Sequence, residues 1–231
     1  MTFEVGPAGE SAMRLIFSEP PQPALTRKLL SIQDTAQQYF SETLIDSVIG
    51  YTTLTLFFTP FKFERDRAEA WLREQADNPM PETSRPGERT EQPVILPAFY
   101  HPSVAPDLEW LADDRSLSVD DVIRLHCEQT YFAYATGFAP GFCYLGNVDS
   151  RLVTPRLNTP RPQVPAGAVA IADSQTAVYP CDSPGGWRLI GACPERLFTL
   201  ESTPPSKLSV GDFVRFEPIS EADFYSMSRP T

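Results

Sequence analysis

Four short stretches hold most of the residues able to do chemistry: GFAPGFCYLG (137–146), TPRLNTPR (154–161), VPAG (164–167) and YPCDSPGGW (179–187). Glycine lets a ligand or a second backbone come close and tolerates positive φ, while proline stiffens the loop around it. Phe138, Phe142, Tyr144, Tyr179 and Trp187 are therefore placed to wall a pocket whose floor is main chain, with Gly137, Pro140, Gly141, Pro184, Gly185 and Gly186 shaping its edges. The same composition suits the corners of a β-barrel, and residue types alone leave both readings open.

Charge adds to the pocket reading. Between Arg151 and Arg161 there are three arginines and no acid, in a chain of net charge −11. Arg156 and Arg161 sit in identical Pro-Arg units, and a guanidinium presents planar donors that match a carboxylate or phosphate, so both are anion-ligand candidates. Structurally paired arginines are the alternative. Asp173, Gln175, Asp182 and Ser183 add polar groups in the same loops. The chain has two histidines, His101 and His126. His126 precedes the pocket strand and is the candidate general acid/base, with a hydrogen-bonded structural role at a helix end as the competing reading. No HExxH, CxxC, GxSxG or GxxxxGK[ST] pattern occurs, so no metal site is expected and any nucleotide is handled without a P-loop.

These loops need a scaffold. From Tyr131 onward, TYFAYATGF, AVAIA, TAVYP, WRLIG, RLFTL and DFVRFEP read as short strands with Pro/Gly breaks, which predicts a β-barrel or sandwich. Ahead of them PVILPAFY reads as a strand and DLEWLADDRSLSVDDVIRLHCEQ as two short helices, the second opened by Ser118 with Asp121 in its first turn. Residues 1–80 form a different pattern. SAMRLIFS (11–18) alternates as a half-buried strand, Ala24–Phe40 carries apolar residues at a period near 3.6, VIGYTTLTLFF (48–58) reads as a central strand, and RDRAEAWLREQA (65–76) as a second helix. The economical packing is an α+β sandwich with helices on one face of a sheet. Residues 81–92, within the proline- and charge-rich 78–93, read as a linker, so the expected division is 1–80, 81–92 and 93–231.

The acidic charge repels phosphate backbones and anionic lipid, so neither nucleic acid nor a membrane surface is an expected partner. The first residues lack a signal-peptide pattern, and the longest apolar run is short and cut by threonines, so the expected setting is the cytoplasm. Cys127, Cys143, Cys181 and Cys193 follow no zinc or disulfide spacing and read as reduced, partly buried thiols.

The runs GFAPGF-x-YLG, TPR-x3-PR-x2-VPAG-x-VAIA and QTAVYP-x3-PGGW-x-LIG resemble the B component of bacterial 5-oxoprolinase, a family also known as allophanate hydrolase subunit 1 and sporulation-kinase inhibitor KipI. The resemblance covers most of 91–218; over 1–80 it is confined to element order and the opening PAGESAMRL. It implies an N-terminal ferredoxin-like α+β domain and a C-terminal cyclophilin-like β-barrel. It further implies a hydrolase component, inactive without its partners, of a complex with subunits A and C. That complex cleaves the small molecule 5-oxoproline (pyroglutamate) to glutamate at the expense of ATP, with Mg and ATP held by the complex and the C component as the tight partner. Allophanate or another small amide as substrate, and inhibition of a histidine kinase, are the alternatives the same family carries. Three departures bear on substrate: Tyr100-His101-Pro102 in place of Tyr-Gly-Gly, Gly191-Ala192-Cys193-Pro194 in place of Gly-Arg-Thr-Pro, and Asp173-Ser174 in place of an Ala-Gly turn.

Overall fold

The structure is a computed structural model that describes residues 2–79 and 92–228; the expected linker at 81–92 lies, apart from Gln92, outside the described residues. The chain forms two compact units, Met1–Glu88 and Arg89–Thr231.

In the first unit β1 (Phe3–Pro7), β2 (Ala12–Phe17), β3 (Leu44–Ile49) and β4 (Thr53–Phe58) form an antiparallel sheet in the order β1-β2-β4-β3. Helices α1 (Pro23–Tyr39) and α2 (Arg65–Asp77) pack against it. Pro23 opens α1, where its missing N–H costs nothing. Leu25, Leu29, Ile32 and Ala36 of α1 are buried, as are Leu15, Phe17, Leu54, Leu56 and Phe58 of the sheet. Lys28 is also buried, because its ammonium caps the end of α2 by donating to the carbonyls of Ala76 (2.5 Å) and Asn78 (3.0 Å). Burial lowers its pKa, with Asp77 and Glu19 opposing the shift. One expectation needs correction: VIGYTTLTLFF is a hairpin, not a single strand, since the chain turns at Gly50 and Gly50 N donates to Thr53 O at 2.8 Å.

The second unit is built on seven strands. They are β5 (Val94–Ala98), β6 (Tyr131–Thr136), β7 (Cys143–Gly146), β9 (Ala168–Ala172), β10 (Gln175–Val178), β12 (Arg188–Ala192) and β13 (Phe213–Pro218), ordered β12-β9-β10-β7-β6-β13-β5. The two outer strands meet through Phe99 and Ala192, whose amides exchange hydrogen bonds of 2.8 and 2.9 Å, so the sheet is a nearly closed barrel. A separate ribbon pairs β8 (Arg161–Val164) with β11 (Ser183–Gly185). Helices α3 (Leu108–Asp114) and α4 (Val119–Glu128) pack on the barrel, and Ser118 caps α4 by accepting from Asp121 N at 3.0 Å. RLFTL is not a strand; it contributes only a bridge between Phe198 and Ser206. A short helix α5 (Glu221–Met227), capped by Ser220 on Asp223 N, follows β13.

Strand β9 explains how the barrel makes a site. All five residues of AVAIA are buried. Val169 and Ile171 face the interior with Leu145, Val178 and Phe216, while Ala168, Ala170 and Ala172 face outward beneath Phe142, Tyr179 and Trp187. A strand covered on both faces reads as a continuous apolar run. The small alanines leave the depth that three large rings fill. Gly167 lets the chain enter this strand at φ +84; a Cβ there would lie 2.3 Å from Cys193 O, a clash between backbones.

Candidate functional site

The outward cluster is an aromatic wall. Phe142 lies edge-on to Tyr144 (4.9 Å between ring centroids), Tyr179 (5.5 Å) and Trp187 (5.7 Å). Phe138 stands 5.2 Å from Phe142 and 6.0 Å from Tyr179, and is 59% exposed. Its turn is tight: Ala139 N donates to Gly137 O, Phe142 N to Ala139 O and Gly137 N to Phe142 O, with Phe138 itself at φ +70. Gly141 is required twice over. Its φ is +85, and a Cβ would meet Phe198 Cβ at 2.7 Å and Leu197 O at 3.2 Å. Pro140 and Pro184 are exposed at the edges of the site.

Gly185 sets the depth of the wall. A Cβ at 185 would fall 2.3 Å from Tyr179 Oη and 2.8 Å from Cζ, so the phenol lies directly against the Gly185 backbone. Gly186 has ordinary space around it and acts through its carbonyl, which accepts from Leu157 N at 2.7 Å. Burial raises the Tyr179 pKa, while a hydrogen bond with the Trp187 backbone and the charges of Arg156 and Arg161 oppose the shift. Gly185→Ala is expected to push the Tyr179 ring out of place at about 1–3 kcal/mol of stability, the usual range for overpacking. Urea unfolding followed by tryptophan fluorescence reads this directly, and a midpoint equal to that of the parent protein would remove Gly185 from the account.

The two Pro-Arg units have different fates. Arg161 is half-buried and already has its anion: Nη2 donates to both carboxylate oxygens of Asp107 (2.8 and 2.9 Å), and Nη1 donates to Trp187 O at 3.2 Å. Asp107 also accepts from Leu189 N at 2.6 Å and pairs with Arg188 at 3.6 Å, whose guanidinium lies 3.6 Å from the centroid of the Trp110 ring. Arg161 therefore serves as an internal brace, the structurally paired alternative. Arg156 is different. Its guanidinium carbon sits 5.6 Å from the centroid of the Trp187 ring, its side chain is 58% exposed, and the nearest carboxylate is Asp173 at 4.0 Å. The backbone on either side is fastened by the Thr154–Asp173 bridge and by Leu157 N on Gly186 O. A cation thus overhangs an aromatic floor.

His126 lies elsewhere. It is fully buried on the interior face, its ring 4.5 Å from Phe216 and 5.3 Å from Tyr131. Thr176 Oγ1 donates to Ala170 O, so it receives the His126 Nε2 proton (2.9 Å); Nδ1 then accepts from Tyr100 Oη at 2.8 Å. Burial pulls its pKa down to about 3. With both nitrogens occupied and the ring neutral, this is the structural histidine and not the acid/base, and on β10 it meets the face opposite to that of Tyr179.

Sequence reasoning groups the aromatic residues and Arg156 but misses Asp107, Arg188 and Trp110. Asp107 carries one signal, an acid just before a helix, which reads equally as a cap; here its side chain caps nothing and turns to the arginines. All four cysteines are free thiols, and burial raises Cys143 to about 12 and Cys193 to about 11, which leaves both inert. Among the described residues no three His, Cys, Asp or Glu cluster as a metal site, and no helix is long and apolar enough to cross a membrane.

Residues 3–208 match the family model described as carboxyltransferase domain, subdomain C and D. The B component of 5-oxoprolinase from Bacillus subtilis (strain 168) is 33% identical over 234 residues, covering 97% of this chain and 96% of that protein. The crystal structure of TTHA0988 superposes with a TM-score of 0.76 at 33% identity, over 90% of this chain and 40% of that one. The Kluyveromyces lactis urea carboxylase shares the fold, with a TM-score of 0.72 at 14% identity over 97% of this chain and 22% of that one. The chain belongs to the family of 5-oxoprolinase B components.

Proposed function

We propose that this chain is the B component of an ATP-dependent 5-oxoprolinase complex and that it holds the ring and carboxylate of 5-oxoproline on its barrel. The observation that carries this is Arg156, a cation poised over Trp187 at the edge of a wall formed by Phe138, Phe142, Tyr144 and Tyr179. The small five-membered ring would lie against Phe138, the exposed ring of this wall, and the guanidinium supplies the counter-charge for the carboxylate. Binding and orientation are the contributions such a site makes to catalysis. The relatives are named as one component among several, which supports an assembly, and TTHA0988 carries the matching module within a chain more than twice as long. We read subunits C and A as the partners and the cytoplasm as the setting.

We read the first unit as ferredoxin-like. Its order β1-β2-β4-β3 with two helices is that of a ferredoxin-like sheet in which the N-terminal strand takes the edge position that usually follows the second helix. The barrel is read as cyclophilin-like, with domains at 1–80 and 93–231.

ATP activates the lactam in the proposed reaction. The donor set of this site does not form a cradle for it. Of the two Pro-Arg guanidiniums Arg161 is committed to Asp107, which leaves Arg156 alone of the pair to meet an anion here, enough for one carboxylate and few donors for a triphosphate. We therefore assign the nucleotide to another component of the complex and give this chain the lactam.

The test is reconstitution with subunits A and C and an assay of ATP-dependent glutamate release, with allophanate offered in parallel. Arg156→Gln is expected to lower kcat/KM by about tenfold or more, the scale of one charge-assisted hydrogen bond. Full activity of A and C without this chain would overturn the assignment, and unchanged kinetics in Arg156→Gln would move the carboxylate elsewhere.

A further inference from the structure

The Arg156–Asp173 pair is held open. Arg156 Nε and Asp173 Oδ2 are 4.0 Å apart, beyond hydrogen-bond reach, and the side chains are 58% and 69% exposed. Among the described residues the Asp173 carboxylate accepts no hydrogen bond and the Arg156 guanidinium donates none, whereas Arg161 and Asp107 are saturated with partners. The backbones that carry the pair are fixed. Asp173 N donates to Thr154 O (2.6 Å) and Thr154 N to Asp173 O (3.3 Å), two residues before Arg156. The Thr154 hydroxyl beside them is wholly buried and has no hydrogen-bond partner. Asp173 also occupies the β9–β10 turn at φ +52, a conformation that glycine would adopt at lower cost. Asp and Asn are the side chains that best tolerate this conformation, so the turn accounts for the residue type, while its carboxylate stays exposed beside Arg156 and free to meet a ligand.

A cation and a carboxylate about 4 Å apart, carried on fastened backbones beside the Trp187 ring, are the complement of a ligand whose own carboxylate adjoins an N–H. We propose that Asp173 determines specificity by accepting the lactam N–H while Arg156 takes the neighbouring carboxylate. The ligand class is a small-ring lactam acid, in which the carbon bearing the carboxylate is bonded directly to the ring nitrogen. The inference rests on the reading of Arg156 given above. A lactone acid of the same shape lacks the N–H and meets only an acceptor facing its ring oxygen; 2-pyrrolidinone keeps the N–H and lacks the carboxylate.

Three probes separate the claims: 5-oxoproline, 5-oxotetrahydrofuran-2-carboxylate and 2-pyrrolidinone, titrated against the full-length chain by ligand-observed NMR. The wild-type chain is expected to favour the lactam acid over the lactone acid by about tenfold, the low end for a hydrogen bond to a charged group at an exposed site. In Asp173→Gly, which suits the turn and removes the acceptor, that ratio should fall to near one; in Asp173→Asn, which keeps an oxygen and loses the charge, it should be intermediate. Arg156→Gln should weaken both acids and leave 2-pyrrolidinone unchanged. If Asp173→Gly keeps the ratio, or tightens both acids equally because the carboxylate only repels them, the role given to Asp173 is wrong while the Arg156 site stands. If none of the three binds the wild-type chain, or if Arg156→Gln binds all three as well as wild type, the site reading fails and this inference with it. Melting curves within a few degrees of wild type verify that each variant is folded.

Discussion

Asp107→Ala is expected to lower the unfolding free energy of the barrel unit by about 3 kcal/mol, near the bottom of the range for breaking a buried ion pair because Arg161 retains some solvent. The Asp107 side chain is 7% exposed and has three dependants: the Arg161 guanidinium, the Leu189 amide and, at 3.6 Å, Arg188. Its removal leaves two cations facing each other and a buried N–H without its acceptor, and an orphaned buried group costs more than the bond that satisfied it gained. Asp107→Asn keeps an oxygen and loses the charge, so its cost should be smaller. The double variant Asp107→Ala/Arg161→Met should recover part of the loss, since a packed apolar side chain replaces a stranded charge. Urea unfolding monitored by tryptophan fluorescence measures all three, with Trp110 and Trp187 flanking the network. A loss below about 1 kcal/mol for the alanine variant would mean that water satisfies the arginines and that the brace contributes little.

Periodicity locates both long helices, and the Ser118–Asp121 signal places the start of α4, because these features are local. The same signal stands at Ser220 and Asp223, where it opens α5 in the structure. VIGYTTLTLFF reads as one strand because its two halves share a composition; Gly50 is the one local mark of the turn, and a lone glycine in a strand pattern reads equally as a bulge. The aromatic wall is legible because its members lie in loops dense with glycine and proline. The division of labour between Arg156 and Arg161 is not, because the two units are identical in sequence. What separates them is an aspartate 54 residues away from one of them. His126 is the same case: its partners Tyr100 and Thr176 lie 26 and 50 residues away, and only folding brings them to the two ring nitrogens.

The His126 geometry predicts acid sensitivity with a defined window. In the folded chain its pKa lies near 3, lowered by burial from an ordinary value of about 6.5. The neutral ring is the folded form, so its contribution is fully present from about a unit above pH 6.5. As pH falls below that, the unfolded chain takes up a proton that the folded chain refuses, and stability declines by up to about 1.4 kcal/mol per pH unit until pH approaches 3. The carboxylates of Asp121 and Asp149 act lower down. Hydrogen bonds from Ser118 and Arg124 to Asp121, and from Arg151 to Asp149, hold both near 2, so what they add is lost only below about pH 4. Between pH 7.5 and 5 the decline is therefore assigned to His126 and should reach about 2 kcal/mol in the barrel unit. His126→Gln keeps hydrogen-bonding capacity and cannot titrate; its stability will be lower at pH 7.5, and its dependence on pH across that interval should be nearly flat. Urea unfolding curves at half-unit steps compare the two slopes. Equal slopes would mean that the imidazole charges inside the fold at mild acidity, which the donor on Nε2, the acceptor Nδ1 and the apolar surround of Tyr131 and Phe216 oppose together.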